Sequence, residues 1–223
     1  MKCLDRYVFL LLIAVLAFTG CRKKDTSPPS ITLTGSSSAR VPLNSSWSEP
    51  GYSAQDDKDG DLTESVEVSG SVNGNFAGTY VITYTVLDQS GNEFSVSRTI
   101  QVYNEAEYLA GIYSGTDTCS TAPAQTYTAS ITLSNSVNRE FFIQNFGGWN
   151  PLCNCNTAVR FNVNGITQGS TLSWAGQPIA NNDTLIAASA GVILSLSPAV
   201  VSLSYQWTNG TTTKFCTGVY THQ

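Results

Sequence analysis

Asp57, Asp59 and Asp61 alternate within Asp56-Asp-Lys-Asp-Gly-Asp61. Closely spaced carboxylates offer calcium the roughly six to eight hard oxygens it takes, at little cost in loop entropy. Gly60 permits a sharp turn, and Glu64, Glu67 or Asp88 are candidates to complete the shell. The pattern departs from a helix-loop-helix calcium loop, because its glycine falls one position early and no glutamate fills the twelfth place. The competing reading is an Asx-rich turn, in which the carboxylates accept backbone N–H groups. Either way the expected role is structural.

Cysteine chemistry forms the second group. Cys119, Cys153, Cys155 and Cys216 all lie in the second half of the chain. An even number of cysteines in an exported domain reads as disulfides. Cys119–Cys216 is the expected pair, each residue lying near one end of a C-terminal domain. Closing so long a loop is worth roughly 4–5 kcal/mol in the chain-entropy model. Cys153 and Cys155 then form a tight local bridge or stay reduced. A zinc site lacks further ligands, since His222 is the only histidine.

A third group could bind. Asn145-Phe-Gly-Gly-Trp-Asn-Pro-Leu-Cys-Asn-Cys-Asn156 reads as a Gly/Asn-rich loop. Its Trp149 could stack on a sugar face while asparagines bond hydroxyls; the alternative is a disulfide-tied loop that caps the domain. Trp174 and Trp207 fall on strands and read as core. Catalysis has no recognisable donor set. His222 stands one residue from the last position, where chains fray, so no triad has a base. The acids Glu107, Asp117, Glu140 and Asp183 form no motif, and no phosphate loop is present. The expectation is a protein that is not an enzyme and needs no cofactor beyond a structural calcium.

Cys21 carries the chain's address. Lys2 and Arg6 precede an apolar run from Tyr7 to Phe18, which ends at Thr19-Gly-Cys21. That run is too short for a bilayer span, which needs roughly 20 residues. A cationic start, a short apolar core and a small residue before the cut describe a secretory signal. Ala17-Phe-Thr-Gly-Cys21 resembles the lipobox of bacterial lipoproteins, with Phe18 where leucine is usual. The resemblance implies diacylglycerol on the Cys21 thiol, cleavage after Gly20 and acylation of the new amine. Arg22-Lys23-Lys24 could rest on anionic headgroups.

Composition agrees with an extracytoplasmic all-β protein. Charged residues make up 12% of the 223, and the net charge is −5. From Asp25 to Glu105 eleven acids face three bases. No basic patch follows Lys24, so nucleic-acid binding has no electrostatic footing.

Organisation follows from periodicity and turn signals. Residues 1–20 read as the signal and 21–30 as a lipidated, extended and mobile tether. In 31–103, alternation marks strands at Ile31–Leu33, Tyr80–Val86 and Val96–Val102, separated by turn residues. Residues 104–107 read as a linker. From 108 to 223, eight candidate strands alternate: 127–133, 140–144, 159–163, 171–174, 184–187, 192–196, 201–207 and 214–220. They predict an antiparallel barrel or sandwich.

The ordered string Pro29-x-Ile31-x-Leu33-x-Gly35, Glu49-Pro-Gly51-Tyr52, Asp59-Gly-Asp61-Leu-Thr63, Gly78-Thr-Tyr80, Tyr84-x-Val86-x-Asp88-x-Ser-Gly-Asn92 and Arg98-Thr-Ile100-x-Val102 resembles the bacterial Ig-like surface domain. That family is also appended to some insecticidal crystal toxins. The resemblance implies an Ig-like β-sandwich that serves as spacer or adhesion module without catalysis. Tyr108-Leu-Ala-Gly-x-Tyr113 and Cys216-x-Gly-x-Tyr220 resemble C-terminal β-domains of uncharacterised surface lipoproteins. Together these features predict a lipid-anchored protein of the cell envelope, at the outer membrane with either leaflet open. Its second domain is expected to bind carbohydrate or a protein partner. The alternative is a structural or accessory subunit of an envelope complex, with no small ligand.

Overall fold

The structure, a computed structural model, describes residues 24–120, 122–148, 158–178, 184–186 and 191–223. Cys21, Trp149, Cys153, Cys155 and Asp183 lie outside the described residues. The chain divides into two compact units. The first takes the chain up to Gly35 with Pro50–Ser69 and Thr83–Val96; the second takes Ser36–Glu49, Gly70–Ile82 and Ser97–Gln223.

Among the described residues seven strands precede residue 104: β1 (Ser30–Leu33), β2 (Ser38–Pro42), β3 (Tyr52–Asp56), β4 (Gly60–Asp61), β5 (Glu67–Ser69), β6 (Gly78–Leu87) and β7 (Glu93–Tyr103). They form a three-stranded sheet, β1-β3-β4, and a four-stranded sheet, β2-β7-β6-β5. β2 runs parallel to β7, and the pairs β1–β3, β3–β4 and β5–β6 are antiparallel. Period-two alternation explains the long strands, with Ile82, Tyr84 and Val86 buried on β6 and Arg98, Ile100 and Val102 buried on β7. In the first unit, Ile31, Ala54, Tyr84 and Val86 are buried, and the Tyr52 ring tilts on Tyr84 at 5.0 Å.

The expected mobile tether is shorter than its sequence limits. The Asn92 amide donates to the carbonyls of Asp25 and Ser27, at 3.4 and 3.3 Å. From Asp25 onward the segment is therefore held to the loop that follows β6.

Among the described residues ten strands form the C-terminal sheet: β8 (Gly111–Cys119), β9 (Ala122–Leu133), β10 (Glu140–Gln144), β11 (Val159–Asn164), β12 (Thr171–Ser173), β13 (Gln177–Pro178), β14 (Thr184–Ile186), β15 (Gly191–Leu196), β16 (Ala199–Thr208) and β17 (Thr213–His222). Every pairing is antiparallel. Because β17 pairs with both β8 and β16, eight strands close into a ring, β8-β9-β10-β11-β12-β15-β16-β17. The short β13–β14 hairpin hangs from β16. Closure removes the exposed edges that an open sheet would present.

A barrel of eight strands has an interior just wide enough for side chains to fill. Here aromatic rings fill it. Phe146 meets Tyr205 at 4.8 Å, Phe161 at 5.7 Å and Tyr220 at 6.0 Å, and Phe141 stacks on Phe161 at 5.7 Å. Trp174 and Trp207 pack against this core as expected.

The segment expected to act as a linker is tightly bonded. Buried Asn104 donates to the carbonyls of Ser134, Val137 and Glu140, and accepts from the N–H groups of Ala106 and Arg139. Beside it the Glu105 carboxylate takes bonds from Arg139 and Asn138, at 2.9 and 2.7 Å. Arg139 foremost holds that carboxyl below its ordinary pKa, against the opposing pull of burial.

Candidate functional site

The expected acid trio is not gathered at one point. Asp57 pairs with Lys58 at 2.6 Å on the exposed surface. Asp59 accepts the backbone N–H of Gln89 at 2.8 Å. Asp61 accepts the backbone N–H of Thr63 at 2.9 Å, and the Thr63 bonds lower its pKa. Asp56 Oδ1 accepts from the N–H groups of Lys58 and Asp59, both at 2.9 Å. These are the bonds of an Asx turn, and Gly60 completes it at φ +75°.

A different trio converges in the first unit. Asp25, Asp56 and Asp88 each bring a carboxylate oxygen to within 4.8 Å of the other two. Asp88 accepts from the Asn92 backbone N–H and side-chain amide, at 2.8 and 2.6 Å. Burial would raise the Asp88 pKa, but the Asn92 and loop hydrogen bonds outweigh it, and the net shift is downward. Asp56 and Asp88 were in view from the sequence. Asp25 was not, because it sits in what reads as tether.

The barrel holds a second polar cluster that sequence reasoning missed. Asp117, 5% exposed, points inward from β8. Tyr205 donates to its Oδ2 at 2.7 Å and Tyr127 donates to the same atom at 2.8 Å. The Tyr127 proton is thereby spent, so Tyr220 is the donor in the 2.8 Å bond between the two phenols. The Gly147 N–H donates to the Tyr127 oxygen at 3.1 Å. Asp117 Oδ1 has no hydrogen-bond partner among the described residues. Burial raises the Asp117 pKa against the opposing pull of the two tyrosines, and burial pushes all three phenols far above their ordinary range. Asp117, Tyr205 and Tyr220 are buried and Tyr127 half-buried, and the group ties β8, β9, β16 and β17 together.

The expected cysteine pair is bonded. Cys119 and Cys216 stand directly opposite on β8 and β17. The bridge joins neighbouring strands across the barrel seam, rather than tying remote ends of the domain. At the other end of the same ladder, His222 ends β17 with its ring edge-on to Tyr113 at 5.0 Å. There β17 pairs with β8 up to His222.

On the outer face of the same strands lies a shallow depression of about 350 Å³. Thr118, Ser204, Gln206 and Thr217 line it, with the ring of Phe215. That ring is 58% exposed, among the most exposed large apolar side chains described. Alternation places it outward on β17, so periodicity alone gave no reason to single it out.

Residues 31–102 match the family model of the bacterial surface protein Ig-like domain. This stretch is a bacterial surface Ig-like domain. No curated protein matches the chain in sequence. Among solved structures, a lipoprotein from Bacteroides thetaiotaomicron is 22% identical, with a TM-score of 0.38, over 86% of this chain and 98% of that one. The M60 catalytic domain with two CBM51 domains of ZmpB from Clostridium perfringens gives 13% identity and a TM-score of 0.29, over 88% of this chain and 21% of that one. A second ZmpB structure, CBM51-2 in complex with GlcNAc and INT domains, gives 14% identity and a TM-score of 0.29, over 87% and 44%. TM-scores this low do not amount to a shared overall fold.

Proposed function

We propose that this chain is a lipid-anchored envelope protein whose Ig-like domain spaces a ligand-binding barrel from the membrane. The observation that carries the binding role is the exposed Phe215 ring set among Thr118, Ser204, Gln206 and Thr217. The barrel interior is filled by its own rings, so a ligand must meet the outside of the wall or its loops. A carbohydrate suits the chemistry of the depression. An aromatic face stacks on the apolar side of a sugar ring, while hydroxyl and amide groups donate to and accept from its hydroxyls. Trp149 is the candidate for a second contact. Cys21, following Gly20 and a short apolar run, supports diacylglycerol anchorage at the outer membrane.

A glycan array probed with the purified protein tests the binding role. Retention of a defined glycan, lost on Phe215→Ala and kept by Phe94→Ala on the Ig-like domain, is the expected result. A ligand held equally by Phe215→Ala, or no glycan retained at all, overturns it. Metabolic labelling with a tagged fatty acid tests the anchor separately, and label that persists in Cys21→Ala counts against it.

A further inference from the structure

We infer that Asp25, Asp56 and Asp88 form a calcium site that clamps the segment before β1 onto two loops of the Ig-like domain. The site differs from the alternating trio that the sequence suggested. Its donors come from three places: Asp25 before β1, Asp56 at the end of β3, and Asp88 after β6. Each offers an oxygen within 4.8 Å of the other two. Calcium binds oxygen at roughly 2.3–2.6 Å, so two ligands of one ion stand at most roughly 4.6–5.2 Å apart, and every pair of these donors meets that limit.

The orphaned atoms point the same way. The Oδ2 atoms of Asp25 and Asp56 are both buried and have no hydrogen-bond partner among the described residues. The Asp25 and Asp88 side chains are buried in the cluster and Asp56 is half-buried. A buried carboxylate oxygen without a partner is costly, and two such oxygens beside a third carboxylate add mutual repulsion. The Oδ1 atom of each is already engaged: Asp25 Oδ1 takes the Ser27 N–H at 3.1 Å, and Asp56 Oδ1 takes the turn amides. The Oδ2 atoms are the ones left for a further ligand. Lys58, the cation whose charge reaches Asp25 and Asp56, spends its ammonium on exposed Asp57 at 2.6 Å. A divalent cation satisfies both orphans and cancels the repulsion, and the remaining positions of its shell go to carbonyl or water oxygen.

The clamp also changes the reach of the anchor, a consequence that rests on the lipid reading of Cys21. With Asp25 tied down, three residues separate it from Cys21. Four Cα–Cα steps then span roughly 14 Å when extended.

Calorimetric titration of CaCl₂ into the full-length protein, held in detergent after EDTA treatment, tests the site without reference to lipid or glycan. Thermal unfolding with and without calcium accompanies it. The expected result is one calcium per chain and a midpoint raised by about 5 °C or more at saturation. Mg²⁺ should bind at least about tenfold more weakly. Asp25→Asn keeps an acceptor for Ser27 and lies outside the strands, so it should stay folded yet lose calcium binding and the shift. Asp88→Asn should lose both as well, and Asp57→Asn should keep both. No calcium heat in the folded wild type, wild-type binding by Asp25→Asn, loss on Asp57→Asn, or equal affinity for Mg²⁺ would each overturn the assignment.

Discussion

Tyr205 donates its hydroxyl to Asp117 at 2.7 Å inside the barrel, across 88 residues of sequence. The two strands that carry them are not neighbours, since β17 runs between β8 and β16. The bond therefore spans the seam at which the ring closes, and Tyr127 reaches the same oxygen from β9. Tyr205→Phe removes one donor and leaves the ring in place. Asp117 is then left with a single phenol. The expected cost is about 1–3 kcal/mol, as for a buried acceptor that loses a partner. Urea unfolding of the variant checks it, and a midpoint equal to wild type would mean the bond contributes nothing net.

The same carboxyl imposes a pH dependence of definite sign. Burial raises the Asp117 pKa in the fold. The folded state then holds a proton that the unfolded chain has lost, so stability falls as pH rises above the ordinary carboxylate value. Asp61, Asp88 and Glu105 are shifted downward and act in the opposite sense. Asp117→Asn isolates the one contribution. Relative to wild type, the variant should gain stability over the interval that opens above about pH 4. Parallel stability curves for the two proteins across that interval would refute the expectation.

The Cys119–Cys216 bridge fastens β8 to β17, with a sequence separation of 97. Its removal frees a long loop in the unfolded state. The double variant Cys119→Ala/Cys216→Ala should lose about 2–5 kcal/mol. The β8–β17 ladder runs from Cys119 to Tyr113 without help from the bridge, so the variant should still fold. Circular dichroism with thermal unfolding reads both points together: a native β spectrum with a lowered midpoint is expected, and an unchanged midpoint would show the bridge to be energetically idle.

The strands legible in the sequence were those whose inward positions are apolar, such as Val201, Leu203 and Tyr205 on β16. β8 was missed for a physical reason. Its inward residues are Tyr113, Gly115, Asp117 and Cys119, and a glycine and an acid erase the apolar alternation. Both have structural work there. A Cβ on Gly115 would lie 2.7 Å from the Tyr127 ring, and Asp117 is the acceptor on which that tyrosine ends. The candidate sites were less legible still. Asp25 meets Asp56 and Asp88 only through the fold, and Phe215 is one outward aromatic among many outward residues.

The Arg98–Glu49 pair makes the last expectation. The Arg98 side chain is 1% exposed and its Nη2 stands 3.1 Å from Glu49 Oε1, while Glu49 itself is 29% exposed. Nη1 also donates to the Ser36 carbonyl. The buried charge on Arg98 is thus paired with the partly exposed Glu49 carboxylate. Breaking a buried pair from one side costs about 3–5 kcal/mol, because the remaining charge is left uncompensated. Glu49 keeps some water, which places Glu49→Ala toward the lower end of that range. Replacing both partners with apolar groups removes the stranded charge. Glu49→Ala/Arg98→Met should therefore be more stable than Glu49→Ala alone. Chemical unfolding of wild type, Glu49→Ala, Arg98→Met and the double variant gives the coupling directly, and a double variant no more stable than Glu49→Ala would mean that Arg98 stabilises through its carbonyl bond rather than its charge.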